Sequence, residues 1–205
     1  MTESTYRFRR TVPGIGELCI RPFCVDAHAG LAQQWLASDH ARFWGMQKLS
    51  PTEVADYFGQ IERSATHDAF IGLCNGQPAF VVETYAPSAE PIGQVIETIH
   101  GDRGMHILIA PPESPVHGFT WAVFALTVDF LFSDPSIQRI VVEPDETNTG
   151  IHVLNARAGF IYHRQVELPG KTAWLATCTR ADHDRACAVL DGIEARVAGR
   201  GEVTA

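Results

Sequence analysis

Two side chains able to move protons stand at the ends of apolar runs in this 205-residue chain. In "GDRGMHILIAPP" (101–112), His106 enters Ile107, Leu108 and Ile109, and Pro111 and Pro112 stop the run, which predicts an interior strand carrying one imidazole. A ring so placed is either a core histidine satisfied by a neighbour or a base whose ordinary pKa of about 6.5 suits neutral pH. Asp145 closes "IQRIVVEPD" and faces a turn, so its carboxylate either caps that turn or takes part in chemistry. Among nine histidines and five cysteines there is no HxxxH or CxxC spacing, so neither a metal centre nor a disulfide framework is expected.

The elements that must position these groups follow from periodicity. "TYRFRRTV" and "ELCIRPF" read as two strands around "PGIG". "VDAHAGLAQQWLAS" has helical spacing, and "SPTEVADYFGQIERSA" opens with Ser50, Pro51 and Glu53 as a capping box. "DAFIGLCN" and "PAFVVETYA" form a hairpin about Asn75-Gly76, and "IGQVIETI" and "GMHILIA" read as further strands. The stretch from Val116 to Asp134 is apolar nearly all round, which predicts a helix packed on a sheet. Asn148 and Gly159 bound a short helix, "FIYHRQVEL" and "TAWLATCTR" make a last hairpin around "PGK", and "DHDRACAVLDGIEARVAG" reads as a terminal helix. The strands of His106 and Asp145, joined by the apolar helix, should be parallel.

A length of 205 residues and 45% hydrophobic content predict a single domain over 1–205, with a strand pair in 1–23 and a helix and tail in 181–205, and the net charge is -8. Nucleic acid is not an expected partner, and a cationic small molecule suits the field better. No apolar segment reaches the length of a membrane span, no signal core opens the chain, and the cysteine usage fits a reducing compartment, so a cytoplasmic protein is expected.

The element order, together with "HARFWGM", "VVETY", "GDRGMHILIAPP", "VVEPDETN" and "LPGKTAWL", resembles the GNAT acyltransferases over about residues 35–180. Within them it is similar to the branch that acylates hydroxylated amines in hydroxamate siderophore biosynthesis, such as the aerobactin acetyltransferase and the mycobactin lysine acyltransferase. The resemblance implies an α+β fold, a mixed and mostly antiparallel sheet flanked by helices, with one parallel strand pair splayed to admit an acyl-CoA. It implies His106 and Asp145 as the catalytic pair. Cofactor contacts fall on Ile107, Leu108, Ile109 and Ala110, on His117, Gly118, Phe119 and Thr120, and on Asn148 and Asn155, with Asn148 also a plausible cap. Trp44, Glu83, Tyr85 and Lys171 are the substrate candidates. Trp44 is alternatively core, Glu83 binds an ammonium or faces solvent, and Lys171 is a turn lysine or a contact to carboxylate or phosphate.

Two departures from the family pattern are visible. "ESPVHGFT" has Gly118 but no glutamine or arginine of a Q/R-x-x-G-x-G/A phosphate loop, leaving helix-terminal N–H groups to hold a pyrophosphate. Asn155 stands where many relatives place the tyrosine that protonates the leaving thiolate.

The implied reaction moves an acyl group from acetyl-CoA or another acyl-CoA to the nitrogen of an N-hydroxylated amine. Stripping an ordinary ammonium of pKa about 10.4 at pH 7 costs roughly 4–5 kcal/mol, and N-hydroxylation removes most of that cost. His106 would act as base, a strand N–H near Leu108 to Ala110 would hold the oxyanion, and Asp145 would orient His106, relay a proton or hold substrate. By strand rise His106 lies about 10 Å before the strand end, whereas Asp145 is at a tip. Pathway partners would be an amine N-hydroxylase and a siderophore synthetase. An aminoglycoside 6'-N-acetyltransferase and a non-catalytic acyl-CoA-binding protein are the alternatives.

Overall fold

The computed structural model describes residues 6–112 and 114–189. Eight strands form one sheet: β1 (Phe8–Val12), β2 (Gly16–Pro22), β3 (His67–Cys74), β4 (Gln77–Tyr85), β5 (Asp102–Ile109), β6 (Arg139–Val142), β7 (Ile161–Leu168) and β8 (Lys171–Thr179). Their spatial order is β1-β2-β3-β4-β5-β6-β8-β7, and among the described residues only β5 and β6 pair in parallel. The helices are α1 (Val25–Leu36), α2 (Pro51–Glu62), α3 (Phe119–Phe132) and α4 (Thr149–Ala158). Helical turns resume over 180–189, and the rest of the expected terminal helix lies outside the described residues.

Local chemistry explains most boundaries. Ser50 Oγ accepts from Glu53 N and the Glu53 carboxylate accepts from Ser50 N, closing the capping box of α2. Asn75 and Gly76 both take positive φ, as a two-residue turn between right-twisted strands requires. Asn148 Oδ1 accepts from Ile151 N to cap α4, and Gly159 ends it in the left-handed region.

Alternation along the strands sends side chains to two layers. Cys19, Ile71, Leu73, Val81 and Leu108 pack with α1 and α2, while Leu18, Ile20, Phe80 and Val82 pack with α3. Among the described residues, no helix is long and apolar enough to cross a membrane.

The expected strand over "IGQVIETI" is absent. Pro87 and Pro91 start two single-turn helices, Pro87–Ala89 and Pro91–Gln94, and Ile92 plugs the core instead. β4 pairs directly with β5, so no free edge remains there for that segment to join.

The decisive feature is where β5 and β6 part. Their pairing covers Asp102↔Arg139, Arg103↔Ile140 and Gly104↔Val141 and then stops, while β5 continues to Ile109 against β4 alone.

Candidate active site

Two residues beyond the last parallel pair, on the same face as Gly104 and Val141, stand His106 on β5 and Glu143 just past β6. Directly across the antiparallel pair from His106 is Glu83 on β4. His106 therefore lies at the root of the splay, three residues before β5 ends at Ile109, because the parallel pairing stops well short of that end.

The imidazole sits between the two carboxylates. Nε2 is 3.4 Å from Glu143 Oε1, and Nδ1 is 3.8 Å from Glu83 Oε2. Both carboxylates are almost sealed, at 3% and 9% exposure, and each accepts a tyrosine proton: Tyr57 Oη donates to Glu83 Oε2 and Tyr85 Oη to Glu143 Oε2, both at 2.8 Å. Lys171 Nζ donates to the Glu143 backbone oxygen at 2.7 Å and lies 3.7 Å from Oε1. The Tyr85 ring fills the space a side chain at 104 would need, since a Cβ there would lie 2.1 Å from it. Trp44 meets the His106 ring edge-on at 5.7 Å, and its Nε1 donates to the Ile107 oxygen at 3.4 Å.

This arrangement corrects the expectation that His106 titrates near its ordinary value. Burial alone pushes its pKa down, but the hydrogen bond to Glu143 and the approach of Glu83, and then the charges of both, outweigh it and hold the group at about 10. At pH 7 the resting imidazole is therefore protonated. The counterpart effect appears on Glu143: burial pushes it up, yet His106 first and Lys171 after it bring it below the usual carboxylate range. With His106 protonated, two carboxylates face two cations. Losing that proton would leave a buried excess negative charge.

Asp145 does not join His106. Its Oδ1 accepts from the backbone N and hydroxyl of Thr147, two residues on, and this turn bonding lowers its pKa. Its backbone bridges to Ala173. The carboxylate that meets His106 from this side is Glu143, which sequence reasoning missed along with Tyr57. A signal existed for Glu143, an acid one residue past the buried run "IVV" and in phase with Val141.

The remaining candidates separate by position. Glu83 does not face solvent, Tyr85 is buried as a support for Glu143, and Lys171 is tethered to Glu143. Leu108 is core, so it can meet a ligand only through its backbone. Ala110 N donates to Ala79 O on the β4 side, and Ile107 O faces Trp44, so alternation aims the N–H groups of Ile107 and Ile109 into the gap. Of the N–H groups expected near Leu108 to Ala110 to hold an oxyanion, that of Ile109 faces the gap, and that of Ile107 joins it from just before that stretch. Phe119 packs partly into the core, while His117, Gly118 and Thr120 are exposed at the start of α3.

The family described as "Acetyltransferase (GNAT) domain" matches residues 24–168. This chain belongs to the GNAT acetyltransferases. Its relatives include the aminoglycoside N(6')-acetyltransferase type 1 of Klebsiella pneumoniae, 26% identical over 158 residues, covering 74% of this chain and 78% of that one. The N-hydroxyputrescine acetyltransferase of Acinetobacter baumannii is 21% identical over 82% of this chain and 80% of its own. The lysine N-acyltransferase MbtK of Mycobacterium sp. is 25% identical, over 80% and 68%. The solved aminoglycoside acetyltransferase AAC(6')-Ib in complex with coenzyme A and kanamycin superposes with a TM-score of 0.72 at 22% identity, covering 82% of this chain and 98% of that one.

As a GNAT acetyltransferase the chain is an N-acyltransferase that uses acetyl-CoA or another acyl-CoA. Its residues fit that co-substrate. Gly118 precedes α3 at φ 77° with no side-chain cap; Phe119 N donates to Val116 O, which leaves the N–H groups of Thr120 and Trp121 for an anion. The gap-facing N–H groups of β5 are free of β6, and Asn155 Oδ1 on α4 is buried without a partner.

Proposed function

We propose that this GNAT acetyltransferase acylates an N-hydroxylated amine that carries a second, cationic group, giving a hydroxamic acid of the kind used in siderophores. The observation that carries the reading is one imidazole held between two buried carboxylates.

Glu83 and Glu143 attract a cationic substrate, and its charge beside them takes over part of what holds the His106 proton. The imidazole pKa then falls toward its ordinary value, and a neutral base becomes available only when substrate is bound. His106 takes one proton from the attacking nitrogen as the N–C bond forms, and Ile107 or Ile109 N–H receives the oxyanion before the thiolate leaves. A single imidazole suits a nucleophile that has a single proton to lose. An N-hydroxylated amine is neutral at pH 7 and meets that condition; an ordinary ammonium must shed two protons. Asp145 shapes the turn that carries Glu143 toward α4 and touches no reacting atom. Trp44 and Lys171 border the amine site, and Asn148 and Asn155 border the acyl-CoA from α4.

The aminoglycoside 6'-N-acetyltransferase reading has its own support in the 26% identical relative and in the acidic walls of the site. Thiol release from acetyl-CoA with N-hydroxylysine, N-hydroxyputrescine, their parent diamines and kanamycin discriminates the two. The hydroxylated amines are expected to exceed their parents by about a hundredfold in kcat/KM, in line with a base that handles one proton. A preference for kanamycin, or equal rates for hydroxylated and parent amines, would overturn the reading.

A further inference from the structure

Behind the splay, on the α3 and α4 face, three polar side chains meet inside an apolar cluster that contains Met105 and Val142, the first residues of β5 and β6 beyond their shared pairing. Asn155 Nδ2 on α4 donates to the Tyr162 hydroxyl of β7 at 2.8 Å, and His152 Nδ1 on α4 lies 2.7 Å from the same oxygen. Asn155 is 1% exposed, and two atoms of the group, Asn155 Oδ1 and His152 Nε2, are buried with no partner. Orphaned polar atoms in a core cost free energy unless a ligand meets them.

A donor count shows what that ligand would find. A tyrosine hydroxyl has two acceptor lone pairs and one proton. When Asn155 Nδ2–H and His152 Nδ1–H both donate to it, the two lone pairs are occupied and the phenolic O–H is left unbound. The cluster then offers one free O–H and two free acceptors, Asn155 Oδ1 and His152 Nε2. An acyl-CoA arm inserted between β5 and β6 carries amide N–H groups for the acceptors and a sulfur that needs a proton on departure.

We propose that Tyr162, held by Asn155 and His152, is the proton donor to the coenzyme A thiolate. When the tetrahedral intermediate collapses, the C–S electron pair passes to sulfur, and sulfur takes the Tyr162 Oη proton. The phenolate regains a proton from water, which has received through His106 the one lost by the amine. This assignment supplies the acid that Asn155 itself cannot be. It is independent of the amine's identity.

The test uses the whole protein and coenzyme A alone. A hydroxyl donating to sulfur stabilises the thiolate, so the ultraviolet thiolate absorbance of bound coenzyme A should titrate at lower pH in the wild type than in Tyr162→Phe. The difference expected is about one pH unit. Asn155→Ala should give part of that shift, because Tyr162 loses one of its two anchors. In turnover with any accepted amine, Tyr162→Phe should lower kcat about tenfold to hundredfold at unchanged amine KM. Unchanged melting temperatures establish that each variant folds; if Tyr162→Phe does not, Asn155→Ala and His152→Gln carry the titration. Bound thiol that titrates identically in wild type and in the folded variants would overturn the proposal, as would a Tyr162→Phe enzyme with full kcat.

Discussion

Glu143→Gln removes one charge beside His106 while an amide oxygen still accepts from Tyr85. His106 stands about 3.5 units above 6.5, and the two forces that raise it are Glu143 first and Glu83 second, working against burial. An opposite charge at such distances typically shifts a group by about 1–3 units. With the nearer carboxylate at 3.4 Å neutralised, His106 should fall by about 2 units, to about 8. Glu83→Gln in addition leaves burial unopposed and should bring it to about 6.5 or below. The assay is an NMR pH titration of the imidazole carbon-bound protons, with His106→Gln to identify the signal. Stability must follow with a definite sign. The folded pKa lies above the unfolded one, so this contribution is complete below about pH 6.5 and is lost as pH rises through about 10. The side chain is 41% exposed, so solvent screening reduces it to about 1–2 kcal/mol. In kcat/KM, which reports the free enzyme, the basic limb should rise through neutrality toward about 10 and move down to about 8 in Glu143→Gln. A wild-type His106 that titrates near 6.5, or a midpoint indifferent to Glu143→Gln, refutes the reasoning.

Further outcomes test other parts of the structure. Asp145→Asn should change kcat/KM by less than about threefold and lower stability by about 1 kcal/mol, measured by urea denaturation, because the carboxylate serves the Thr147 turn. Gly104→Ala drives a Cβ into the Tyr85 ring and should cost about 1–3 kcal/mol by thermal unfolding, with a fall in kcat as Glu143 loses its tyrosine. His183 Nδ1 lies 3.0 Å from Ala158 O and Nε2 3.0 Å from Asp129, a geometry that suits the doubly protonated ring, and its pKa is raised against burial by Asp129. Its stabilisation is therefore complete below about pH 6.5 and disappears as pH climbs through the raised value, so His183→Gln should flatten the wild-type decline in melting temperature on the alkaline side.

The residues that were legible are those whose roles are local. The capping box of Ser50 and Glu53, the Asn148 cap with its Gly159 stop, and the Asn75-Gly76 turn are all decided within a few residues, and each appears where periodicity and cap chemistry place it. The "IGQVIETI" segment misled because its alternation is real, while its exclusion depends on β4 having already taken β5 as partner. His106 was visible because a ring in an apolar run is anomalous by itself. Glu143, beside Pro144, looked like an ordinary strand end, and Asp145 drew attention in its place even though Thr147 two residues later marks a turn. What makes His106 unusual is the meeting of carboxylates 37 positions ahead and 23 behind, brought there by two registers and by the parting of β5 and β6 after Gly104. Neither register is written in the spacing of any one segment. A proton affinity set by such pairs is a property of the folded sheet, so the place of the imidazole on its strand could be read from the chain while its resting charge could not.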